Sequence, residues 1–326
     1  MPRSPRPDRP TLLADIGGTN TRVALARAGK VDRASIRRFA NAGQPGLGPI
    51  LRAYLTDAGV HDCAGASVAV AGPVQNGMAE MTNLDWTITP DDVRAATGAD
   101  HVAILNDLQA QGHALDRLTG DSLRTILTGA AHPRPGARLV IGVGTGFNAA
   151  PVHRTRSGIF VAASECGHAS LPVQTEEEVR LAASLAIIHG FAGVEDVLSG
   201  RGLERLYSWC RTQTGTPAEI AAADVMAEIA QGTDPAALRT RDIFLTLLGR
   251  VAGDLALVHL PFEGIFLVGG VARAFTRYLP AGPFAAAFRD KGRFSSFMDD
   301  FPVKVIEDDY AALEGCADHL EQVMRR

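Results

Sequence analysis

The stretch that most constrains how this chain folds is an eight-residue segment near its start, residues 15–22, with the sequence DIGGTNTR. It joins two runs typical of β-strands, residues 11–16 and 22–26, and its paired glycines followed by Thr and Asn predict a tight hairpin turn. A Gly-Gly turn also leaves backbone N–H groups uncovered by side chains, so a phosphate can approach them closely. The segment therefore fits either an ordinary hairpin or a phosphate-binding turn, with Asp15 within reach of a metal that the phosphate carries.

A second stretch of the same kind occurs at residues 142–146, with the sequence GVGTG, between strand-like runs at residues 138–143 and 147–153. Short glycine-rich turns are common and few bind phosphate, so either stretch alone favours a plain hairpin. Two strand–turn–strand units in one chain indicate instead a phosphate chain held from two sides.

The order of predicted elements also occurs twice. The first series has strands at residues 11–16, 22–26, 30–40, 67–71 and 101–105, and helices at residues 47–58, from the Thr89 cap, and at 108–115. The second series has strands at residues 138–143, 147–153, 158–163, 264–268 and 302–306, and helices from the Thr175 capping box to 189, at 243–260 and at 311–324. This repetition predicts two α/β domains with a cleft between them: residues 11–117 with 308–326 as a small domain, 118–307 as a large one, after a disordered tail at 1–10.

Composition excludes several classes of protein. The 326 residues are 46% hydrophobic and 21% charged, as in ordinary globular proteins, and the net charge of −4 argues against nucleic-acid binding. No run is long and apolar enough to span a membrane, and the tail lacks the apolar stretch of a signal peptide. The four cysteines are far apart and form no CxxC pair, which indicates reduced thiols in a cytoplasmic protein and no zinc site.

The candidate general base is Asp107, which follows the buried strand at residues 101–105. Phosphoryl transfer needs a base in line with the acceptor oxygen, and α/β sheets place such groups at the carboxyl ends of their strands. The alternative is structural, since an Asn-Asp pair before a helix commonly caps it, and the local pattern favours the cap.

Three other stretches carry polar groups or glycines suited to a ligand. Glu165 and His168, with Gly167 between them, can converge on a small polar ligand or lie on a surface loop, and Glu195 can do the same or lie on a solvated helix face. Gly269 and Gly270 follow a buried strand, and fit either a flat ring lying against the backbone or a close-packed turn.

Taken together, these motifs resemble those of bacterial ATP-dependent glucokinases over residues 11–320. The resemblance rests on the order and spacing of segments at residues 15–22, 70–74, 81–83 with Trp86, 106–107, 142–146, 165–168, 176–178, 198–203, 268–271 and 291–294. Each is weak alone, whereas their joint order is specific. The chain lacks the clustered-cysteine zinc motif of the ROK sugar kinases, so it is similar to the other glucokinase branch.

The resemblance implies a two-domain α/β protein with the actin-like ATPase (ribonuclease H-like) fold and a central cleft. It implies transfer of the γ-phosphoryl group of MgATP to the 6-hydroxyl of D-glucose, with Asp107 as the base and Asn106, Glu165, His168 and Glu195 holding the other hydroxyls. The residues implied to bind nucleotide are Asp15, which would also reach Mg²⁺ through water, Gly17, Gly18, Thr19, Asn20, Gly144, Thr145, Gly146, Gly269 and Gly270. ATP and Mg²⁺ are the expected cofactors. The resemblance also implies that this chain forms a homodimer.

Two residues depart from the family pattern. Cys166 stands where the family usually has glycine, which would be strained if the position needs a positive φ, and Asn148 stands where small residues are common. Two rival functions stay open: a kinase for another hexose, such as mannose or an amino sugar, and a sugar-sensing regulatory protein with weak turnover.

Overall fold

The computed structural model describes residues 9–81, 84–130, 135–215 and 217–325. Most of the predicted tail, together with Thr82 and Asn83 of one family motif, lies outside the described residues. The strands are β1 (Thr11–Ile16), β2 (Asn20–Arg27), β3 (Lys30–Val31), β4 (Arg37–Ala40), β5 (Gly65–Val70), β6 (Val74–Gln75), β7 (Met78–Glu80), β8 (Thr87–Ile88), β9 (His101–Asn106), β10 (Leu123–Leu127), β11 (Arg138–Val143), β12 (Phe147–Thr155), β13 (Gly158–Val161), β14 (Ile265–Val268) and β15 (Val303–Ile306). The helices are α1 (Leu47–Asp57), α2 (Pro90–Thr97), α3 (Asp107–Ala114), α4 (Glu176–His189), α5 (Gly200–Gln213), α6 (Ala222–Gln231), α7 (Pro235–His259), α8 (Gly270–Phe275), α9 (Pro283–Arg289) and α10 (Ala311–Met324).

The chain divides into two compact units. The first runs to Thr119 and adds Arg154–Ala162 and the segment from Asp308 onward, and the second comprises Gly120–His153 and Ala163–Glu307. The predicted domain boundaries at residues 117/118 and 307/308 fall within two residues of these divisions, whereas the short segment Arg154–Ala162 was not among the residues assigned to the small domain.

The sheet of the first unit has the order β3-β2-β1-β5-β9, with β4 also paired to β2. β1 is antiparallel to β2 and parallel to β5, and β5 is parallel to β9. Side chains alternate along β1, so Leu12 and Ala14 enter the core beneath α1 and α2, while Leu13 enters the core beneath α10. Asp15 follows on the Leu13 side.

Helices α3 and α10 pack closely together on that side of the first sheet. A Cβ atom at Gly315 of α10 would lie 1.7 Å from the carbonyl oxygen of Ala110 in α3, so only glycine allows this approach. Because α3 begins with Asp107, the contact helps to fix the position of the candidate base.

The sheet that contains β11 has the order β10-β15-β14-β11-β12-β13. β11 is antiparallel to β12 and parallel to β14, and β14 is parallel to β15. In this sheet β12, β11, β14 and β15 therefore lie side by side with the same antiparallel and parallel pairings as β2, β1, β5 and β9 in the first sheet. The repeated order predicted from the sequence is confirmed at the level of strand pairing.

One predicted strand is wrong as a single element. Residues 30–40 form β3, a 3-10 turn at Arg33–Ser35 and β4, rather than one continuous strand. Asp32 caps the turn by accepting the N–H of Ala34, and the Ser35 hydroxyl accepts the N–H of Leu25 while donating to the carbonyl of Asp32. These side-chain bonds replace part of the strand ladder, which residue alternation alone does not reveal.

The two helix caps predicted at Thr89 and Thr175 are confirmed, whereas the helix predicted at residues 243–260 begins earlier, at Pro235. Thr89 accepts the N–H of Asp92 with Pro90 at the first helical position, and Thr175 forms a capping box with Glu178.

The long helix α7 buries Arg250, whose guanidinium donates to both carboxylate oxygens of Glu178. No described helix is long and apolar enough to cross a membrane.

Candidate functional site

The first glycine turn joins β1 to β2 and is held from the side by Asn41. The N–H of Gly17 donates to the carbonyl of Asn20 at 3.0 Å, and the Asn41 amide donates to the carbonyl of Gly17 at 2.8 Å. Asn41 is 2% exposed, and its side-chain oxygen accepts the hydroxyl of Thr21. Sequence reasoning missed Asn41, because it lies outside the turn and belongs to no local motif.

Nothing in the described structure requires residue 17 to be glycine. The φ angle of Gly17 is outside the left-handed region, and a Cβ atom there would meet only the Asn20 carbonyl oxygen at 3.6 Å, an ordinary contact. The same holds for Gly144 and Gly270, where a Cβ atom would meet nothing within 4 Å. Such open space beside a backbone turn is what a phosphate or a nucleotide would occupy.

Asp15 pairs with Arg22 across the first hairpin. The two residues are register partners of β1 and β2, and the guanidinium lies 3.0 Å from the Asp15 carboxylate, which is 13% exposed. Burial raises the pKa of Asp15, and the positive charge of Arg22 opposes this rise. The positive charge of Arg22 therefore favours the ionised form of Asp15, a role that the sequence did not assign to it.

Asn106 and Asp107 stand at the end of β9, and the structure separates their roles. Asn106 caps α3: its side-chain oxygen accepts the N–H of Leu108, and its amide donates to the carbonyl of Gly72. Asp107 is the first residue of the helix, so the cap alternative applies to Asn106 and not to Asp107. The Asp107 carboxylate accepts the N–H of Leu108 at 2.8 Å, and the Asn106 side chain also hydrogen-bonds to it.

The carboxyl group of Asp107 has the electrostatics of a base that works near neutral pH. Burial, and next the negative charge of Asp15, raise its pKa to about 7. β1, β5 and β9 are parallel, so Asp15 and Asp107 both lie at the carboxyl-terminal edge of the first sheet. A carboxylate with a pKa near the working pH is suited to accept a proton from a hydroxyl group.

The second glycine turn, between β11 and β12, is tied to Glu195. The N–H of Phe147 donates to the Glu195 carboxylate at 2.8 Å, and a Cβ atom at Gly146 would lie 2.5 Å from the same oxygen. The carbonyl of Gly144 accepts the N–H of Gly200 at the start of α5. Thr145 is exposed at the tip of the turn.

The loop that carries Glu165 and His168 pairs with the segment that carries Glu195. The N–H of Glu195 donates to the carbonyl of Gly167 at 2.9 Å, and that of Val194 donates to the carbonyl of Ala169 at 3.0 Å. Glu165 and His168 are exposed, whereas Glu195 is half-buried. The structure thus brings the three predicted sugar ligands of the second unit together beside the second glycine turn.

Glycine is required at position 167, whereas position 166 tolerates a side chain. Cys166 begins a 3-10 turn with a φ angle outside the left-handed region, so the strain considered for it is absent. A Cβ atom at Gly167 would lie 2.0 Å from the carbonyl oxygen of Phe147. Of the two positions, only 167 has a steric reason to be glycine in this chain.

Gly269 packs directly against the second glycine turn. Its φ angle is +109°, and a Cβ atom there would lie 2.4 Å from the carbonyl oxygen of Val143. Gly270 starts α8 next to it. The close-packed alternative is therefore correct for Gly269, while Gly270 leaves open space.

A cavity of about 660 Å³ lies elsewhere in the second unit, between α4, α5 and residues 219–221. Leu185, Trp209 and Ile220 are among its lining residues, and none of the predicted site residues lines it.

The chain is similar to known proteins over almost its whole length. A family model described as Glucokinase matches residues 12–323. A glucokinase of Brucella suis is 34% identical over 307 residues, which cover 94% of this chain and 89% of the relative. The crystal structure of a glucokinase from an Antarctic psychrotroph superposes with a TM-score of 0.83 at 31% identity, covering 96% of this chain and 99% of that one.

A ROK family glucokinase from Streptomyces griseus, solved with glucose and AMPPNP, superposes with a TM-score of 0.63 at 22% identity, covering 96% of this chain and 99% of that one. At this identity the likeness shows the fold alone, which confirms the predicted actin-like ATPase class. The family model and the two closer glucokinases go further and show that the chain belongs to the glucokinase family.

Proposed function

We propose that this ATP-dependent hexose kinase transfers the γ-phosphoryl group of ATP to the 6-hydroxyl of D-glucose by direct in-line displacement, with Asp107 as the general base. The oxygen of the sugar hydroxyl forms a bond to the γ-phosphorus, the bond from that phosphorus to the bridging oxygen of ADP breaks, and the hydroxyl proton passes to the Asp107 carboxylate. The products are glucose 6-phosphate and ADP. The observation that carries this proposal is the buried Asp107 carboxyl with its pKa raised to about 7 at the end of β9.

The sugar ligands follow from hydrogen-bonding capacity. Carboxylates at Glu165 and Glu195 accept hydroxyl protons, while the Asn106 amide and the His168 imidazole can also donate. The Asn106 amide and the Glu195 carboxylate are each already oriented by one or more bonds to backbone groups. Fixed orientation of such groups lowers the entropy lost when a sugar binds.

The phosphate chain is assigned to the two glycine turns. One turn is formed by Gly17, Gly18, Thr19 and Asn20, and the other by Gly144, Thr145 and Gly146. Gly269 and Gly270 lie beside the second turn, where an adenine ring would rest against the backbone. The open space at Gly17, Gly144 and Gly270 supports this assignment.

The residues present fit Mg²⁺ held mainly by ATP. The described residues contain no cluster of three or more His, Cys, Asp or Glu side chains that would bind a metal by themselves, and Mg²⁺ in kinases uses one or two carboxylates with phosphate and water. Asp15 would be this carboxylate and would reach the ion through a water molecule. When bound, Mg²⁺ would neutralise charge that develops on the phosphates.

The test is ADP release in a coupled assay with MgATP and a panel of glucose, mannose, fructose, glucosamine and N-acetylglucosamine. Turnover with glucose is expected to be well above turnover with any of the other sugars. Turnover with another sugar would move the substrate while keeping the mechanism, and glucose binding without turnover on any sugar would favour a sensor.

We also propose that the chain is a homodimer, as the resemblance implies. Light scattering after size-exclusion chromatography tests this, with a mass of two chains expected and a mass of one chain contradicting it.

A further inference from the structure

The two positions at which this chain departs from the family pattern, Asn148 and Cys166, contact each other. The Asn148 side-chain oxygen lies 3.2 Å from the Cys166 N–H and 3.5 Å from its thiol sulfur. The two residues are eighteen positions apart in the sequence, and the structure joins them in one hydrogen-bond network beside the second glycine turn.

The orientation of the Asn148 amide is fixed by its partners. Its oxygen accepts the N–H groups of Ala149, at 2.8 Å, and of Cys166, which can only donate. Its nitrogen donates to the carbonyl of Ser164 and, at 3.4 Å, to the carboxylate of Glu165, which can only accept when ionised. Exchanging the oxygen and nitrogen of the amide would break all four contacts, so its partners allow only one orientation of the Asn148 amide.

Glu165 is exposed, and within the described residues this amide is the hydrogen-bond partner of its carboxylate. A glutamate side chain on the surface has several rotamers of similar energy, and most of them would not present the carboxylate to a ligand. One donor aimed at one of its two oxygens selects among them and leaves the other oxygen for a ligand.

We propose that Asn148 is a positioning residue for sugar recognition: it orders the segment from Ser164 to Cys166 and holds the Glu165 carboxylate ready for one sugar hydroxyl. The inference rests on the proposed role of Glu165 as a sugar ligand. Glycine at position 148 would make none of these side-chain bonds. The Glu165 carboxylate would then lack the amide that orients it in this chain.

The consequence is selective for one hydroxyl. Loss of the Asn148 amide weakens binding of the sugar equally in the ground state and in the transition state, because the Glu165 contact is remote from the transferred phosphoryl group. Asn148→Ala is therefore expected to raise KM for glucose by about tenfold and to change kcat by less than about threefold.

The experiment compares Asn148→Ala with Glu165→Gln on glucose and on analogues that each lack one ring hydroxyl. For the analogue that lacks the hydroxyl bound by Glu165, neither substitution has anything further to weaken, so both are expected to leave kcat/KM within about twofold of the unmodified protein. The same analogue must be the insensitive one for both variants. A merely structural role of Asn148 would lower kcat/KM by the same factor for every analogue.

Two further variants separate positioning from folding. Asn148→Asp keeps the oxygen that accepts the Cys166 and Ala149 N–H groups but replaces the donor with a negative charge facing Glu165. A loss in glucose affinity at least as large as that of Asn148→Ala is expected, because a second negative charge then faces the Glu165 carboxylate. Cys166→Ser, the matched control, keeps the backbone N–H and a donor of similar size, and should change KM by less than about twofold.

Equal losses across all analogues, or a KM for glucose unchanged by both Asn148 variants, would overturn the inference while leaving the proposed function intact. Absence of glucose turnover in the unmodified protein would instead remove the proposed function and the inference with it. No effect of Glu165→Gln on any sugar would remove the sugar-ligand role of Glu165, and the inference with it, while leaving phosphoryl transfer to glucose intact. Thermal melting of each variant shows whether a loss of activity reflects unfolding.

Discussion

The two units hold their polar groups in different ways. In the first unit, Asp15 and Asp107 stand at the ends of sheet strands, where burial raises the pKa of both carboxyl groups. In the second unit, Glu165 and Glu195 are carried by connecting segments, and their carboxylates accept hydrogen bonds from an amide and from a backbone N–H. Buried carboxyls suit proton transfer, whereas oriented and accessible ones suit hydroxyl recognition. The comparison assigns proton transfer to the first unit and the carboxylates that recognise sugar hydroxyls to the second.

The glycines differ in the same sense. Gly17, and Gly144 in the second unit, have room for a side chain, so their identity points to a ligand. Gly146 is instead pressed against the Glu195 carboxylate, and Gly167 against the carbonyl of Phe147. Substitution at the first kind of glycine should affect nucleotide binding alone, and at the second kind it should affect the fold of the loop as well.

The largest effect is expected at the candidate base. Asp107→Asn should lower kcat by about 10³-fold, because an amide cannot accept the hydroxyl proton, while glucose binding is largely kept. Turnover in the coupled assay and glucose titration by calorimetry measure the two quantities. Near-normal kcat in a folded variant would show that the base is elsewhere and would break the comparison.

The same substitution should raise thermal stability by an amount that depends on pH. The folded-state pKa of Asp107, about 7, is above that of an unfolded aspartate, so this group favours folding at low pH and that contribution is lost as pH rises towards 7. Asp107→Asn should therefore melt a few degrees above the unmodified protein at about pH 8 and show little or no gain at about pH 4. A gain that is the same at both pH values would contradict the raised pKa.

The next effect is expected in the second unit. Gly167→Ala places a Cβ atom 2.0 Å from the Phe147 carbonyl oxygen, which forces the Glu165 loop away from β12. A destabilisation of about 1–3 kcal/mol is expected, with a large rise in KM for glucose. Denaturant unfolding measures the first quantity and kinetics the second. An unchanged unfolding midpoint would mean that the loop is not held as described.

A smaller and more selective effect is expected in the first turn. Gly17→Ala should leave the melting temperature within about 2 °C, because the added methyl group fits and the unfolded chain loses some freedom. KM for ATP should nevertheless rise by at least about tenfold, since the methyl group takes space assigned to phosphate. Gly144→Ala is the matched substitution in the second turn and should behave alike. An unchanged KM for ATP in both variants would remove the phosphate assignment.

The smallest effect is expected at the departure in the sugar loop. Cys166→Gly introduces the glycine that the family usually has into a 3-10 turn of ordinary φ, and should cost about 0.5–1 kcal/mol of stability through added freedom in the unfolded chain. A stabilised variant, seen as a higher unfolding midpoint, would indicate strain at Cys166 that the backbone does not show.

Much of this arrangement could be predicted from the sequence, because it rests on local signals. Glycine turns between strand-like runs, the Thr89 and Thr175 caps and the buried strands all follow from patterns a few residues long, and the family motifs supplied their joint meaning. The single strand predicted at residues 30–40 was wrong, because Asp32 and Ser35 bind the backbone locally and interrupt the ladder.

What the sequence did not reveal depends on contacts between distant residues. Asn41 supports a turn twenty-four residues earlier, and Arg22 pairs with Asp15 only once the hairpin register is set. Asn148, in β12, meets Glu165 in the segment that follows β13. The division of roles between Asn106 and Asp107 also needed the fold, since either residue type can cap a helix and only the hydrogen bonds show that Asn106 does so.

The most direct test of the account is the pH dependence of kcat/KM for glucose at saturating MgATP. With Asp107 acting as the base, kcat/KM should rise about tenfold per pH unit from about pH 5.5 and level off above a midpoint set by its pKa of about 7. A profile that is flat across this range, or that falls as pH rises, would contradict the assignment of proton transfer to Asp107.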